Sequence, residues 1–361
     1  MHVSEFAREA VKMAENGRGR TGTNPSVGCV IVKDGQIVGR GCTAEGGRPH
    51  AEAVALAQAG DDARGADVYV TLEPCSHAGR GPSCASGLIS AGVERVFIGV
   101  VDPDTRVNGN GIALLKDAGI EVITGQFTEL AEQSLASFLT RKRLGRPYVT
   151  TKLAMTLDGK IATELNESQW ITNPSAREFV HHVRAYCDGV MVGASTARAD
   201  DAKLIVRGLI DAVQPTRIVL TTDMRISEDS ALVRTLDVAP ALFVHSERVA
   251  DSTITRWEAL GVICRAVPET KVGLDVSAVL QVLGQLGLNQ VLCEGGAALA
   301  ASLLRAGLID QLMTIYAGKL FGSGGVSGVG NLNVGAIVDA PEFRLHETKS
   351  LEGDLFADWR R

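Results

Sequence analysis

A histidine, a glutamate and two cysteines in the first third of the chain constrain its fold more than any other feature. His50 and Glu52 stand two residues apart at a predicted helix start. Cys75 follows Pro74 and a predicted strand, and Cys84 stands near the start of the next predicted helix. Zinc favours four nitrogen and sulfur ligands, and one histidine with two cysteines supplies three of them. A shared zinc ion therefore requires a fold in which these three segments meet.

The same residues predict a particular chemistry. Three protein ligands leave the fourth position of a catalytic zinc site to water, whose pKa the metal lowers to about 7. Glu52 could take the proton from that water and pass it to a leaving ammonia, as in the H-x-E and P-C-x-x-C pattern of zinc deaminases. The alternative is a structural zinc site closed by His77 as a fourth ligand, in which Glu52 would have no task.

Composition excludes several classes of protein. The 361 residues indicate two or three domains, and 45% hydrophobic with 22% charged residues exclude a disordered chain. A net charge of −6 and only 4% aromatic residues argue against a nucleic-acid-binding groove. We find no signal peptide and no apolar run long enough to span a membrane, so the seven cysteines are expected to be reduced in a cytoplasmic protein.

The periodicity of apolar residues predicts α/β structure in both halves of the chain. Asp34-Gly35 is a hairpin signal between two predicted strands. Predicted strands cover residues 27–32, 37–42, 68–72, 96–101 and 120–123, then 148–155, 189–193, 217–220, 241–244 and 290–293. Predicted helices cover residues 3–16, 51–59, a segment ending at 91, and 112–118, then 176–187, 276–287 and 299–306.

Two segments without a clear secondary-structure signal separate or follow these elements. The basic stretch RKRLGRP at 141–147 is predicted to be a solvated connector between domains, and the glycine-rich stretch 322–330 to be a mobile loop. In the second half no G-x-G-x-x-G follows a strand, so a Rossmann site is not indicated. Gly295 and Gly296 instead precede a helix, where exposed amides suit a cofactor phosphate, although such a pair alone is more often a turn.

The spacing of the two cysteines distinguishes this chain from ordinary zinc deaminases. Eight residues, SHAGRGPS, separate Cys75 from Cys84, where the common motif has two. This longer loop, with Gly79 and Arg80, resembles the deaminase half of bifunctional riboflavin-biosynthesis deaminase–reductases. The resemblance continues in NPSVGCVIV (24–32), TLEPCSH (71–77), Asp102-Pro103, TLDGK (156–160), SQWIT (168–172) and Ala199-Asp200-Asp201.

The resemblance implies a fold and an activity for each half. Residues 1–146 would form a cytidine-deaminase-like three-layer α/β/α domain that removes an amino group from a diaminopyrimidinone ribosylamino 5′-phosphate. Residues 147–361 would form a dihydrofolate-reductase-like α/β domain that reduces the ribosyl group to ribityl with NADPH. Phosphorylated aminopyrimidines would be the substrates, without nucleic acid or membrane, and the enzyme is expected to be a homo-oligomer.

It also implies the site residues. His50, Cys75 and Cys84 would hold zinc, Glu52 would move protons, and Asn24 and His77 would contact the first substrate. The implied NADPH positions are Ala154, Trp170, Thr196, Asp200, Thr222, Gly296, Ala297, Ala298, Leu299, Ala300, Ala301 and Ser302. The implied substrate positions of the second half are Ser168, Arg184, Leu204, Arg207 and Glu294, with Lys152 ranked below them. Asp200 and Glu294 are the candidates for a general acid.

Two rival functions remain at this point. A deaminase of tRNA or single-stranded bases would need a basic groove with aromatic side chains for stacking, which the acidic, aromatic-poor composition disfavours. A zinc-stabilised scaffold without catalysis would tolerate replacement of Glu52.

Overall fold

The computed structural model describes residues 3–77, 81–105 and 107–361. The chain forms two compact units, Met1–Gly145 and Arg146–Arg361. Both units are α/β, as predicted. Among the described residues no helix is long and apolar enough to cross a membrane.

The first unit is built on one five-stranded sheet of order β2-β1-β3-β4-β5. Its elements are α1 (Glu5–Asn16), β1 (Gly28–Lys33), β2 (Gln36–Cys42), α2 (Ala51–Ala59), β3 (Asp67–Leu72), α3 (Cys84–Ala91), β4 (Arg95–Val100), α4 (Asn110–Asp117), β5 (Glu121–Thr124), α5 (Thr128–Ser134) and α6 (Ala136–Leu144). β1 runs antiparallel to β2 and β3, whereas β3, β4 and β5 are parallel. The predicted hairpin is confirmed: Asp34 and Gly35 join β1 to β2 with φ of 50° and 75°.

Two glycines allow helices to pack closely on opposite faces of this sheet. A Cβ at Gly28 of β1 would overlap the carbonyl of Ala10 in α1. Gly41 of β2 pairs with Cys29, which follows Gly28 in β1. A Cβ at Gly41 would overlap the carbonyl of Ala51 in α2. Because successive strand residues face opposite sides, α1 and α2 lie on different faces. The three layers expected for this half are therefore present, and the start of α2 is held tightly against β2.

The predicted connector at 141–147 is wrong in its first part. α6 continues to Leu144 and ends at Gly145, which has φ of 69°. Arg141, Lys142 and Arg143 are therefore in the last turn of a helix, where basic side chains are favoured by the helix dipole.

The second unit is built on a nine-stranded sheet of order β11-β10-β9-β8-β14-β6-β15-β18-β17. Its helices are α7 (Pro174–Ala185), α8 (Ala194–Ala199), α9 (Asp251–Ala259), α10 (Val276–Gln285) and α11 (Ala297–Arg305). Its strands are β6 (Tyr148–Thr156), β7 (Lys160–Ala162), β8 (Gly189–Gly193), β9 (Thr216–Thr221), β10 (Ala241–Ser246), β11 (Ile263–Val267), β12 (Glu269–Thr270), β13 (Gly273–Leu274), β14 (Gln290–Cys293), β15 (Gln311–Ala317), β16 (Val326–Ser327), β17 (Arg344–Leu351) and β18 (Asp354–Arg360).

The first seven strands in this order, which are β11, β10, β9, β8, β14, β6 and β15, are parallel. β18 pairs antiparallel with β15, and β17 pairs antiparallel with β18. Three central neighbours, β8, β14 and β6, bring their carboxyl ends to one edge of the sheet. Ligands of open parallel sheets bind at such an edge. Part of the predicted mobile loop at 322–330 is ordered, because β16 pairs with β7.

Candidate active sites

The three predicted metal ligands of the first unit lie together. His50 is the N-cap residue of α2, Cys84 is the first residue of α3, and Cys75 follows β3. His50 Nδ1 is 3.2 Å from Cys84 Sγ and 3.7 Å from Cys75 Sγ, and all three ligand atoms lie within 4.8 Å of one another. Zinc bonds of about 2.0–2.3 Å in a tetrahedron separate ligand atoms by about 3.5 Å. The donor set and its spacing therefore fit a zinc ion.

The start of α3 favours a thiolate at Cys75. The amide of Cys84 donates to Cys75 Sγ at 3.3 Å, and the amide of Ala85 donates to the Cys75 carbonyl at 3.2 Å. The hydrogen bond from the Cys84 thiol, helped by His50 and the Cys84 amide, lowers the pKa of Cys75 to about 4. The same pairing raises the pKa of Cys84. Because zinc binds thiolates, a lowered pKa at Cys75 favours metal binding at this site.

Glu52 lies beside the cluster in the first turn of α2 and is only 4% exposed. Burial raises the pKa of its carboxyl, while the His50 charge and a hydrogen bond with Cys84 act against that shift. His77, the alternative fourth ligand, is exposed and is not part of the ligand cluster found among the described residues. Gly79 and Arg80, which carry part of the resemblance, lie outside the described residues.

A cavity of about 340 Å³ opens beside the cluster. His50, Glu52 and Cys75 line it together with the two residues expected to contact the first substrate, Asn24 and His77. A volume in this range suits a small-molecule ligand.

Glu73 organises one wall of this cavity and was not predicted as a functional residue. It is 3% exposed, and its carboxylate accepts four backbone hydrogen bonds. The donors are the amides of Asp102 (3.2 Å), Gly109 (2.9 Å), Gly111 (2.9 Å) and Ile112 (3.2 Å). These bonds fix the segment between β4 and α4, and Asp102, Asp104 and Val107 of that segment line the cavity.

In the second unit, an ion pair lies where β14 ends, at the carboxyl ends of the central strands. Arg184 of α7 binds Glu294 with two hydrogen bonds, Nε–Oε1 at 2.5 Å and Nη2–Oε2 at 2.9 Å. Lys152 Nζ of β6 lies 3.9 Å from Glu294 Oε2. Although burial alone would raise it, the pKa of Glu294 is held at about 2 by Arg184, with Lys152 adding to the effect. Lys152, ranked low on sequence, is therefore part of this cluster.

Four further predicted residues of this unit have different surroundings. Burial raises the pKa of Asp200, which caps the end of α8 and hydrogen-bonds Ser168. Trp170 is 58% exposed and stacks with Arg177, whose guanidinium carbon is 4.5 Å from the ring centroid, so Trp170 does not fill a core. Leu204 is buried in an apolar cluster of this unit, with φ of 54° in the left-handed region.

The predicted cofactor segment begins at the turn before α11. The Gly296 amide donates to Thr196 Oγ1 at 2.8 Å, and no side chain caps α11. The first-turn amides of such a helix suit an anionic group. Ala300 and Ala301 are in the core, Ala154 is half-buried on β6, and Thr222 is exposed after β9.

Sequence reasoning also missed His181 of α7. Its Nδ1 accepts a hydrogen bond from the Arg207 amide at 3.3 Å, and Arg184 Nη1 donates to the Ile205 carbonyl at 2.9 Å. These contacts hold the segment that carries the predicted substrate residues Leu204 and Arg207. Burial, with the charges of Arg184 and Arg207, lowers the pKa of His181 to about 4, although Glu294 opposes the shift.

We expect His181 to make the second unit less stable in acid. An unfolded histidine titrates near 6.5, so the unfolded state binds the proton first as pH falls. The stability from a neutral His181 is complete above pH 6.5 and is lost as pH falls from 6.5 toward 4. We expect a loss of about 1 kcal/mol, because partial solvent exposure screens the charges.

Urea unfolding at pH 7.5 and pH 4.5 measures this loss. Tryptophan fluorescence reports the second unit alone, since Trp170, Trp257 and Trp359 are the only tryptophans. His181→Gln keeps a hydrogen-bond acceptor but does not titrate, so its stability should fall less than that of the wild type. Equal declines for the two proteins would contradict the assignment.

Comparison with known families agrees with the division into two units. Residues 1–100 match the cytidine and deoxycytidylate deaminase zinc-binding region, and residues 147–356 match the RibD C-terminal domain. The riboflavin biosynthesis protein RibD of Escherichia coli is 39% identical over 368 residues, covering 98% of both chains. The RibD protein of Aquifex aeolicus is 34% identical over 356 residues, covering 99% of this chain and 98% of its own.

Solved structures are similar over nearly the whole chain. Acinetobacter baumannii RibD superposes with a TM-score of 0.88 at 35% identity, over 98% of this chain and 97% of its own. A diaminohydroxyphosphoribosylaminopyrimidine deaminase/5-amino-6-(5-phosphoribosylamino)uracil reductase from Thermotoga maritima superposes with a TM-score of 0.84 at 30% identity, with the same coverage.

Proposed function

Because this chain belongs to the RibD family of riboflavin biosynthesis proteins, we propose that it catalyses two consecutive reactions of that pathway. The first unit hydrolytically removes an amino group from a diaminopyrimidinone ribosylamino 5′-phosphate. The second unit reduces the ribosyl group of the deaminated product to ribityl with NADPH. The observation that carries the proposal is the cluster of His50, Cys75 and Cys84 with buried Glu52 beside a cavity of ligand size.

In the first unit, His50, Cys75 and Cys84 would hold zinc, which lowers the pKa of a bound water to about 7 and so supplies the nucleophile at neutral pH. Glu52 moves the proton: it accepts one from the attacking water and donates it to the amino group that leaves as ammonia. Its burial suits this task, because a carboxyl with a raised pKa can hold a proton between the two transfers. Asn24 and His77 contact the substrate from the cavity wall.

In the second unit, NADPH supplies the hydride. We place its phosphates at the uncapped start of α11, with Thr196, Asp200 and Trp170 among its further contacts. Arg184, Glu294 and Ser168 orient the sugar, and Arg207 binds its phosphate. Of the two carboxyl groups considered as proton donors, Glu294 is ionised at neutral pH, whereas burial raises the pKa of Asp200. Asp200 is therefore the better candidate.

The proposal is tested on the purified full-length protein with three measurements. We expect about one zinc ion per chain, release of ammonia from the diaminopyrimidinone phosphate, and oxidation of NADPH only after that deamination. Zinc-loaded protein that releases no ammonia would exclude the deaminase assignment. Failure to oxidise NADPH with the deaminated product would exclude the reductase assignment separately.

A further inference from the structure

The turn between β6 and β7 holds a carboxylate that neither proposed reaction uses. Asp158 Oδ1 accepts hydrogen bonds from the Thr156 hydroxyl at 2.6 Å and from the Phe321 amide at 3.2 Å, and Oδ2 accepts the Gly322 amide at 2.7 Å. The Thr156 hydroxyl, with the two amides, lowers the pKa of this carboxyl, so Asp158 is ionised at neutral pH. Hydrogen bonds to an ionised acceptor are stronger than those to a neutral one. Asp158 therefore binds residues 321 and 322 to the turn between β6 and β7.

The segment that Asp158 binds, residues 319–330, is called the strap below. Only Gly328 of the strap is buried, so its position depends on hydrogen bonds more than on apolar packing. The Leu157 amide donates to the Lys319 carbonyl at 2.9 Å, and β16 within the strap pairs with β7. The strap is therefore attached to the β6–β7 turn at its beginning and in its second half.

The strap also contacts two positions that we assign to NADPH. Lys319 Nζ donates to the Trp170 carbonyl at 2.6 Å. At the other end of the strap, the Gly330 amide donates to the carbonyl of Ala297, the first residue of α11, at 3.0 Å. The strap therefore connects the β6–β7 turn with Trp170 and with the start of α11.

Trp170 depends on such contacts because it is largely outside the core. It is 58% exposed, and its ring stacks with Arg177 of α7. Arg177 Nη1 in turn donates to the Thr172 carbonyl at 2.7 Å. The ring is thus positioned from α7, whereas the main chain of Trp170 is positioned by Lys319 of the strap.

We infer that Asp158 and Lys319 are positioning residues for NADPH binding in the second unit. Asp158 fixes the strap to the β6–β7 turn, and Lys319 fixes Trp170 from the strap. This inference rests on the proposed function and deepens it, since it assigns the contacts that keep the cofactor site formed before NADPH binds. A site that is formed only part of the time binds its ligand more weakly in proportion to that fraction. Loss of either residue therefore weakens NADPH binding without slowing hydride transfer in the bound state.

NADPH affinity tests the inference on two variants of the full-length protein, Asp158→Asn and Lys319→Met. Kd is measured by NADPH fluorescence, and KM for NADPH is measured with saturating deaminated substrate. We expect each variant to raise Kd and KM roughly 10-fold and to keep kcat within about 2-fold of wild type. Ammonia release by the first unit should not change. Unchanged affinity in both variants, or a loss confined to kcat, would overturn the inference.

Two matched controls remove the same charges elsewhere in the second unit. Asp339→Asn changes an exposed carboxylate on the turn Ile337–Asp339, and Lys271→Met changes an exposed ammonium between β12 and β13. Both should bind NADPH as wild type does. Weaker binding in these controls would assign the effect to net charge and refute the role of the strap contacts.

Hydrogen exchange of the strap separates the two roles without relying on activity. In the absence of NADPH, the amides of Phe321 and Gly322 should exchange faster in Asp158→Asn than in wild type, because the carboxylate binds both. Lys319→Met should keep the wild-type rates. NADPH should restore protection in Asp158→Asn, since binding selects the ordered strap. Equal exchange in Asp158→Asn and wild type would show that Asp158 does not fix the strap.

The double variant Asp158→Asn/Lys319→Met tests whether the two residues act through one connection. Its loss of NADPH affinity should be well below the product of the two single losses, because coupled residues are not additive. Independent, multiplicative losses would refute the shared role of the strap. Wild-type protein that binds NADPH without reducing the deaminated substrate would refute the reductase function, while weaker binding by Asp158→Asn would still support the inference. Wild-type protein that binds no NADPH would refute both.

Discussion

Glu52→Gln is expected to reduce ammonia release by about 10³-fold while zinc remains bound and the reductase stays active. The amide has nearly the shape of the carboxyl but cannot accept and return a proton. The three ligand atoms come from His50, Cys75 and Cys84, so metal content should not change. Ammonia release, zinc content and NADPH oxidation with the deaminated substrate are measured on the same preparation.

A matched control separates charge from position. Glu45→Gln removes the same charge a few residues upstream, where the side chain is 62% exposed and paired with Arg20. This variant should release ammonia at the wild-type rate. Full turnover by Glu52→Gln would favour the non-catalytic zinc scaffold instead. Equal loss of NADPH oxidation in a folded Glu52 variant would show that the two sites are not independent.

Arg184→Met is expected to destabilise the second unit by about 3–5 kcal/mol and to abolish reductase activity. The Glu294 side chain is 10% exposed in the wild-type structure. The substitution removes the guanidinium that holds the pKa of its carboxyl at about 2. It also frees the carbonyl of Ile205, which Arg184 Nη1 binds. Urea unfolding followed by tryptophan fluorescence measures the loss in this unit.

The double variant Arg184→Met/Glu294→Met keeps this prediction testable if the single variant does not fold. Replacing both members of a buried pair with apolar side chains often restores stability, whereas removal of one partner does not. We expect the double variant to recover most of the unfolding free energy but no NADPH oxidation. A single variant as stable as wild type would show that the pair is not effectively buried. Reductase activity in the double variant would remove both residues from substrate binding.

Sequence reasoning succeeded where the signal is local. The hairpin at Asp34-Gly35 was predictable because the turn needs residues that tolerate positive φ. The end of α2 at Gly60 was predictable for the same reason, because Gly60 has a positive φ of 54°. The meeting of His50, Cys75 and Cys84 was predictable because few residue types bind zinc and the spacing of its ligands is restricted.

Sequence reasoning failed where the role of a residue depends on contacts with residues far away in the chain. The amides that bind Glu73 belong to residues 102–112, and backbone amides leave no trace in the residue types. The basic stretch at 141–147 looked solvated because of its charge, yet α6 continues through it and turns Arg141 toward the cavity. β16 forms inside a glycine-rich stretch only because β7, far away in the chain, pairs with it.

The hydrogen bonds between backbone amides and the Glu73 carboxylate decide where a deaminase domain could be separated from this protein. The zinc-binding region recognised by comparison ends at residue 100, but every amide donor of Glu73 comes later. A fragment trimmed at that border would retain all three metal ligands and lose the donors that shape the pocket around them. A transplantable version should instead run to Gly145, where the first compact unit ends.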